Sequence, residues 1–227
     1  MKGNSIGRTV RSGIVALVIA GTVGGGVPGA MSVAAAAPPC ANAAATAVAK
    51  PATPVAPAAP IPTEAAMAPE VNSPGDIPDN QAFVTFTSQA GGYSVAMPEG
   101  WARQESAADV AFVDKLHRFT VEIACAAAAP TVESATSIDA TRLAQEVAAF
   151  ELVEVKTVDL PAGPAVLVRY RTNSAPDEVT GKQIRLDVDR YELFKDGRLA
   201  AISLAAPAGS DNVDVSNQVA GSFRWTA

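Results

Sequence analysis

The feature that most constrains this chain is a change of grammar near Gln81. Before it runs "KPATPVAPAAPIPTEAAMAPEVNSPGDIPDN", rich in Ala and Pro, with no apolar periodicity and almost no aromatic residues. Proline lacks an amide donor and clashes with the preceding turn, so it blocks both helix continuation and strand pairing. Such a stretch cannot bury enough surface to offset its ordering entropy. Residues 37–80 are therefore expected to form a disordered, partly polyproline-like linker. Either it is a passive spacer or it is an adhesive or glycosylated stalk, with Thr46, Thr53 and Thr63 as acceptor candidates. Any fold must be built from residues 81–227.

Residues 1–36 have the layout of a signal peptide. Lys2, Arg8 and Arg11 form a positive start, "GIVALVIAG" is a short apolar segment, and small residues follow. Cleavage is expected after Ala36. The apolar segment is short and Gly-rich for a bilayer core of about 30 Å. A lipid anchor on Cys40 would need a different context, because Pro38 and Pro39 precede it. Removal of the three basic residues takes the basic count from 17 to 14 against 23 acids, so the net charge moves from −6 to −9. A surface of that sign repels nucleic acid and anionic lipid. The expected location is outside the cell or in its envelope, with a protein partner, no nucleic acid and no stable transmembrane segment after cleavage.

From Gln81 on, alternating apolar residues predict strands. "AFVTFTS" and "GGYSVAMP" read as a hairpin, with Tyr93, Val95 and Met97 on one face. "DVAFVD" and "HRFTVEIACA" follow. The second places Phe119, Val121, Ile123 and Cys125 together. Ala140, Leu143, Ala144, Val147 and Phe150 recur at helical spacing, after a cap at Ser137 or Asp139. "LVEVKTVDL", "PAVLVRYR" and "KQIRLDVDRYELF" are strands. In the last, the apolar phase changes from Ile184, Leu186 and Val188 to Tyr191 and Leu193, which predicts a β-bulge. Asp196-Gly197 is a hairpin signal before "RLAAISLAA". Ser210 or Asp211 is expected to cap a final helix with Val215, Val219 and Phe223 on its apolar stripe. Seven or eight strands and two helices in this order give an α+β fold with a mainly antiparallel sheet.

Candidate chemistry is sparse. His117 is the sole histidine, so any triad would have to use it, and no G-x-S-x-G elbow is present. One His and two distant Cys do not make a zinc site, and no phosphate-binding glycine pattern suggests a cofactor. Cys125 lies in the apolar phase of its strand and reads as a buried free thiol, while an exported chain also permits a Cys40–Cys125 disulfide. Arg169 and Arg171 share one strand face, as do Arg185, Asp187 and Asp189 on the next candidate strand. If those strands pair, their charges form either a solvated ladder or a polar docking face.

Two segments carry a family resemblance. "GGYSVAMPEGW" resembles the opening hairpin of PsbP-like domains, and "DRYELFKDGRLAAISLAAPAGSDNVDVSNQVAGSFRW" resembles their closing hairpin, strand and helix. The arrangement is similar to the LpqN family of secreted proteins and lipoproteins of high-GC Gram-positive bacteria. It covers roughly Ala82 to Trp225, with Tyr93, Pro98, Gly100, Trp101, Gly197, Phe223 and Trp225 as fold markers. It implies an antiparallel sheet sandwiched by helices, and a role in protein binding and assembly without shared catalytic residues. The expected function is thus an exported, non-enzymatic binding protein. The alternatives are a carrier that holds a small apolar ligand between sheet and helix, and a hydrolase.

Overall fold

A computed structural model describes residues 40, 64–69, 76–78, 80–177 and 179–226. The expected signal peptide, most of the linker and the three threonines lie outside these residues. The described strands are β1 (Phe83–Ser88), β2 (Tyr93–Pro98), β3 (Ala102–Ser106), β4 (Asp109–Asp114), β5 (His117–Cys125), β6 (Glu151–Leu160), β7 (Gly163–Asn173), β8 (Arg185–Lys195), β9 (Arg198–Pro207) and β10 (Arg224–Trp225). Seven of them form one sheet in the order β3-β4-β5-β9-β8-β7-β6, and β1-β2-β10 form a smaller one. Every pairing is antiparallel. The fold is α+β, with apolar layers on both faces of the large sheet.

On one face, Phe119, Val121, Leu167, Tyr191, Leu193 and Ile202 pack against Tyr93, Val95 and Met97 of β2 and against helix α3 (Val213–Ser222). Tyr93, Phe119 and Phe223 are fully buried. Burial of each such side chain contributes roughly 1.5–3 kcal/mol. The two segments that carry the family resemblance meet here. Trp225 pairs with Tyr93 across the small sheet, and the Tyr93 and Phe223 rings stack at 5.5 Å. Burial pushes the Tyr93 hydroxyl up to about 12, against a lowering contribution from Ser88. Gly92 has φ +62°, and a Cβ there would collide with the Arg198 guanidinium, which lies over Trp225 at 4.8 Å. Glycine at the hairpin tip thus suits both the positive φ and the present seat of the Arg198 guanidinium. Pro98 ends β2, Gly100 sits in the turn, and Trp101 folds back onto Phe119 at 4.7 Å.

The opposite face packs Val166, Val168, Tyr170 and Val188 against Ala135 and Leu143. These two come from a helical segment made of α1 (Val132–Ser134), a π-helical turn (Ala135–Asp139) and α2 (Ala140–Glu146). It starts earlier than the sequence predicts. Thr131 and Ser134 cap one another, with Ser134 N–H donating to Thr131 Oγ1 at 3.1 Å and Thr131 N–H to Ser134 Oγ at 2.9 Å. Neither Ser137 nor Asp139 caps; Ser137 instead donates to the Glu133 carbonyl. At α3 the N-cap position is Asn212, not Ser210 or Asp211, and its carboxamide is engaged elsewhere.

The bulge expected in β8 is absent: β8 pairs with both neighbours in unbroken register. The irregularity lies in β6, between Leu152 and Glu154. β8 is covered on both faces, so its apolar residues change parity without any slip. Leu186 and Val188 serve one layer, and Tyr191 and Leu193 the other. The consequence is a buried charge cluster. Arg190 and Glu192 share the face of Val188, and Glu192 is only 1% exposed. Arg190 Nε donates to Glu192 Oε1 at 2.9 Å, and its Nη1 donates to Glu122 Oε2 at 3.0 Å and to Ser203 Oγ at 3.2 Å. Burial raises the Glu192 pKa against the lowering pull of Arg190.

Cys125 is not a buried free thiol. It is exposed and bonded to Cys40, with Cα atoms 5.5 Å apart. The buried phase of β5 runs through Phe119 and Val121 and fades at Ile123, so position 125 lies past the covered part of the strand. Other parts of the Ala/Pro stretch also touch the domain. Ile77 is buried in the core, and its N–H donates to Asn212 Oδ1 at 2.9 Å.

The Cys40–Cys125 bridge closes a separation of 85 residues. Its reduction is expected to lower stability by about 2–4 kcal/mol, read from urea unfolding with and without dithiothreitol. Glu192→Ala leaves the buried Arg190 with Ser203 and a single carboxylate, the outer one of Glu122, and is expected to cost about 3 kcal/mol in the same assay. The sign of the pH effect is also set. A carboxyl whose folded pKa is raised weakens stability as pH climbs from the ordinary glutamate value to the raised one. The wild-type chain therefore loses this contribution over that window, and the Glu192→Ala chain does not show the loss.

Candidate functional site

The charged residues singled out in the sequence come together on β6, β7 and β8. Arg169 lies directly opposite Asp189, and Arg171 opposite Asp187. Arg169 Nε donates to Asp189 Oδ1 at 2.9 Å, and Arg171 Nε to Asp187 Oδ1 at 2.8 Å. β6 adds a third column that composition alone did not single out. Glu154 lies 3.4 Å from Arg169, and Glu151 lies 3.6 Å from Arg171. Each rung thus reads acid, arginine, acid across three strands. The phase follows from pairing: residues that share a face with Leu167 and Leu193 near one end of these strands become charged toward the other.

The ladder side chains are half-buried, from 23% exposed at Asp189 to 52% at Glu151. Solvent-accessible ion pairs of this kind are worth about 0–1 kcal/mol, so the ladder contributes little to holding the sheet. Its electrostatics are nevertheless ordered. The hydrogen bond to Asp189 is the largest cause of a raised Arg169 pKa, and the bond to Asp187 has the same effect on Arg171. A hydrogen bond from Lys156, 2.9 Å away, holds Glu154 below its ordinary value. Beside the rungs is an open cleft of about 260 Å³, lined by Val153, Arg169, Asp187, Asp189, Val213 and Ser216 among others. Val153 is 52% and Val213 57% exposed.

Arg185 shares the strand of Asp187 and Asp189 but not their exposure. Its side chain is 2% exposed, donating to the Ala149 carbonyl at 2.7 Å and lying 2.8 Å from Glu151. It is a buried clamp on the turn into β6 rather than part of an open face. Sequence parity could not separate it from its neighbours, because the residues that cover it come from far along the chain.

His117 is buried, with its ring 5.7 Å from Trp101 and its Nε2 3.3 Å from Asn212 Nδ2. Among the described residues no group of three or more His, Cys, Asp or Glu is placed to hold a metal ion, and no helix is long and apolar enough to cross a membrane.

No family model matches the sequence, and comparison with curated proteins finds no match. Solved structures do resemble it. The solution structure of cyanobacterial PsbP (CyanoP) from Synechocystis sp. PCC 6803 is 17% identical, with a TM-score of 0.47 over 67% of this chain and 98% of that one. The Saccharomyces cerevisiae Ran-binding protein Mog1p is 9% identical, with a TM-score of 0.45 over 64% of this chain and 96% of that one.

Proposed function

We propose that this chain is an exported, non-enzymatic binding or assembly protein of the cell envelope or the extracellular space. Its partner is a protein, engaged through the rungs formed by Arg169, Asp189, Arg171 and Asp187. The observation that carries this reading is the solvent-accessible ladder itself: half-buried charges held at fixed cross-strand positions and bordered by exposed Val153 and Val213. Such fixed patterns select partners by complementarity and add little to stability. The Cys40–Cys125 bond supports export, since disulfides persist in oxidising compartments. The non-enzymatic part rests on His117, which is buried against Trp101 and Asn212. The carrier alternative draws no support from the layer between the large sheet and α3, which Tyr93, Met97, Phe119 and Phe223 fill. An open trough between the sheet and α2 is walled by Arg118, Glu122, Arg142 and Arg190, a charged lining that suits an apolar ligand poorly.

Native mass spectrometry of the full-length gene product, purified from its own host, tests this reading. A protein partner is expected to co-purify, and raised salt is expected to weaken the complex. Reversal of both arginines (Arg169→Glu with Arg171→Glu) is expected to weaken it by roughly tenfold or more without loss of the circular dichroism of the fold. Stoichiometric bound lipid, or a partner-free monomer, would contradict the proposal.

A further inference from the structure

The rung beyond Arg171 and Asp187 pairs Asn173 with Arg185, and there the chain binds a piece of itself. Asn173 is 5% exposed. Its Nδ2 donates to Glu64 Oε1 at 2.7 Å and to the Ala65 carbonyl at 2.9 Å. Its Oδ1 accepts from the Met67 N–H at 3.0 Å and from Arg185 Nη1 at 3.3 Å. All four hydrogen-bonding positions of the carboxamide are used, and three of the four partners belong to residues 64–67. A side chain that takes a carbonyl and, two residues on, an N–H reads extended backbone as an added strand would.

The reader is held rigid from the domain side. The Asn173 N–H donates to the Ala148 carbonyl at 3.1 Å, and Thr172 Oγ1 donates to the same carbonyl at 2.7 Å. Arg185 fixes Oδ1, and Arg185 is itself clamped by Ala149 and Glu151. The bound segment, in contrast, is held lightly. Ala65, Ala66, Met67, Ala68 and Pro69 are all exposed, so it buries little apolar surface. Ile77, farther along the same stretch, is by contrast buried in the core and hydrogen-bonded to Asn212. Next to Glu64 begins an open trough of about 540 Å³ between α2 and the uncovered side of β5 and β9, with Arg118, Thr120, Arg142 and Tyr170 on its walls. The trough extends well past the few residues that dock at Asn173.

We infer that Asn173 is the anchor of an extended-peptide site in which residues 64–67 are a resident, replaceable ligand. The incoming ligand is an extended segment of a partner protein. It carries an acidic side chain at one position, presents the next residue's carbonyl, and has a free N–H, so no proline, three positions after the acid. This site is separate from the charged ladder and stands whether or not the ladder binds anything.

The test uses the full chain with its resident ligand disabled by Glu64→Ala and Met67→Pro. The probe is a labelled, end-capped peptide of the sequence EAAMAP, followed by fluorescence anisotropy. The vacated chain is expected to bind it at least roughly tenfold more tightly than the wild-type chain, where the tethered segment competes at an effective concentration of about millimolar. Peptides with Ala in place of the acid, or with an N-methylated methionine, are expected to bind roughly tenfold more weakly, since each loses one hydrogen bond to Asn173. Asn173→Ala in the vacated chain is expected to abolish binding. If that variant loses its circular dichroism signature, the altered peptides decide the matter, because they leave the protein untouched. Absence of binding at millimolar peptide, equal binding of the three peptides, or equal binding by wild-type and vacated chains would overturn the inference.

Discussion

Strands β7, β8 and β9 carry side chains into packed layers on both faces, and most other features depend on this. Val166, Val168 and Val188 hold the helical segment on one side, while Leu167, Leu193 and Ile202 hold β2 and α3 on the other. A strand covered on both faces has no solvent side on which to place polar residues, so each one must be paired or must sit beyond the covered zone. Arg190 and Glu192 take the first course, through their mutual bond and Glu122. Arg169, Arg171, Asp187 and Asp189 take the second, on the stretch of one face that β2 and α3 do not cover, while Val168, Tyr170 and Val188 between them stay buried on the other face.

This division explains what was legible in the sequence. One-sided strands declare themselves by alternation, so Tyr93, Val95 and Met97 were read as inward and are fully buried. Asp196-Gly197 specified the β8–β9 hairpin because few residue pairs accept positive φ at both positions, here +50° and +76°. Parity placed Arg169 with Arg171, and Asp187 with Asp189, each on one strand face; their cross-strand meeting depended on β7 and β8 pairing, which they do, in a register that parity alone does not set. β8 misled because a strand buried on both faces has no single apolar phase. Its change of parity resembled a bulge, and the buried Arg190–Glu192 pair was hidden behind that reading. β3 left no signal, since all five of its residues are exposed at the sheet edge.

Other features were illegible because they depend on distant chain segments. Arg185 and Asp187 share a strand face and differ in exposure only because the turn before β6 and Glu151 close over the first. Cys125 follows the apolar phase of β5 but lies past the end of its buried part, within reach of Cys40. Asn173 looks like an ordinary loop-edge asparagine until residues 64–67 are placed against it. In each case a part of the chain that lacks periodicity decides the fate of one that has it.

The doubly covered parts of β7, β8 and β9 hold the fold, and the charged ladder on the less covered stretch of β7 and β8 contributes little to it. Amide hydrogen exchange of the full chain, wild-type and with Arg169→Ala and Arg171→Ala together, measures this directly. The slowest exchange is expected at the residues of β7, β8 and β9 that are covered on both faces, Ala165–Val168 and their partners, unchanged by loss of the two arginines. Fast exchange in those strands, or their collective loss of protection in the double variant, would show that the ladder supports the fold and would contradict the account.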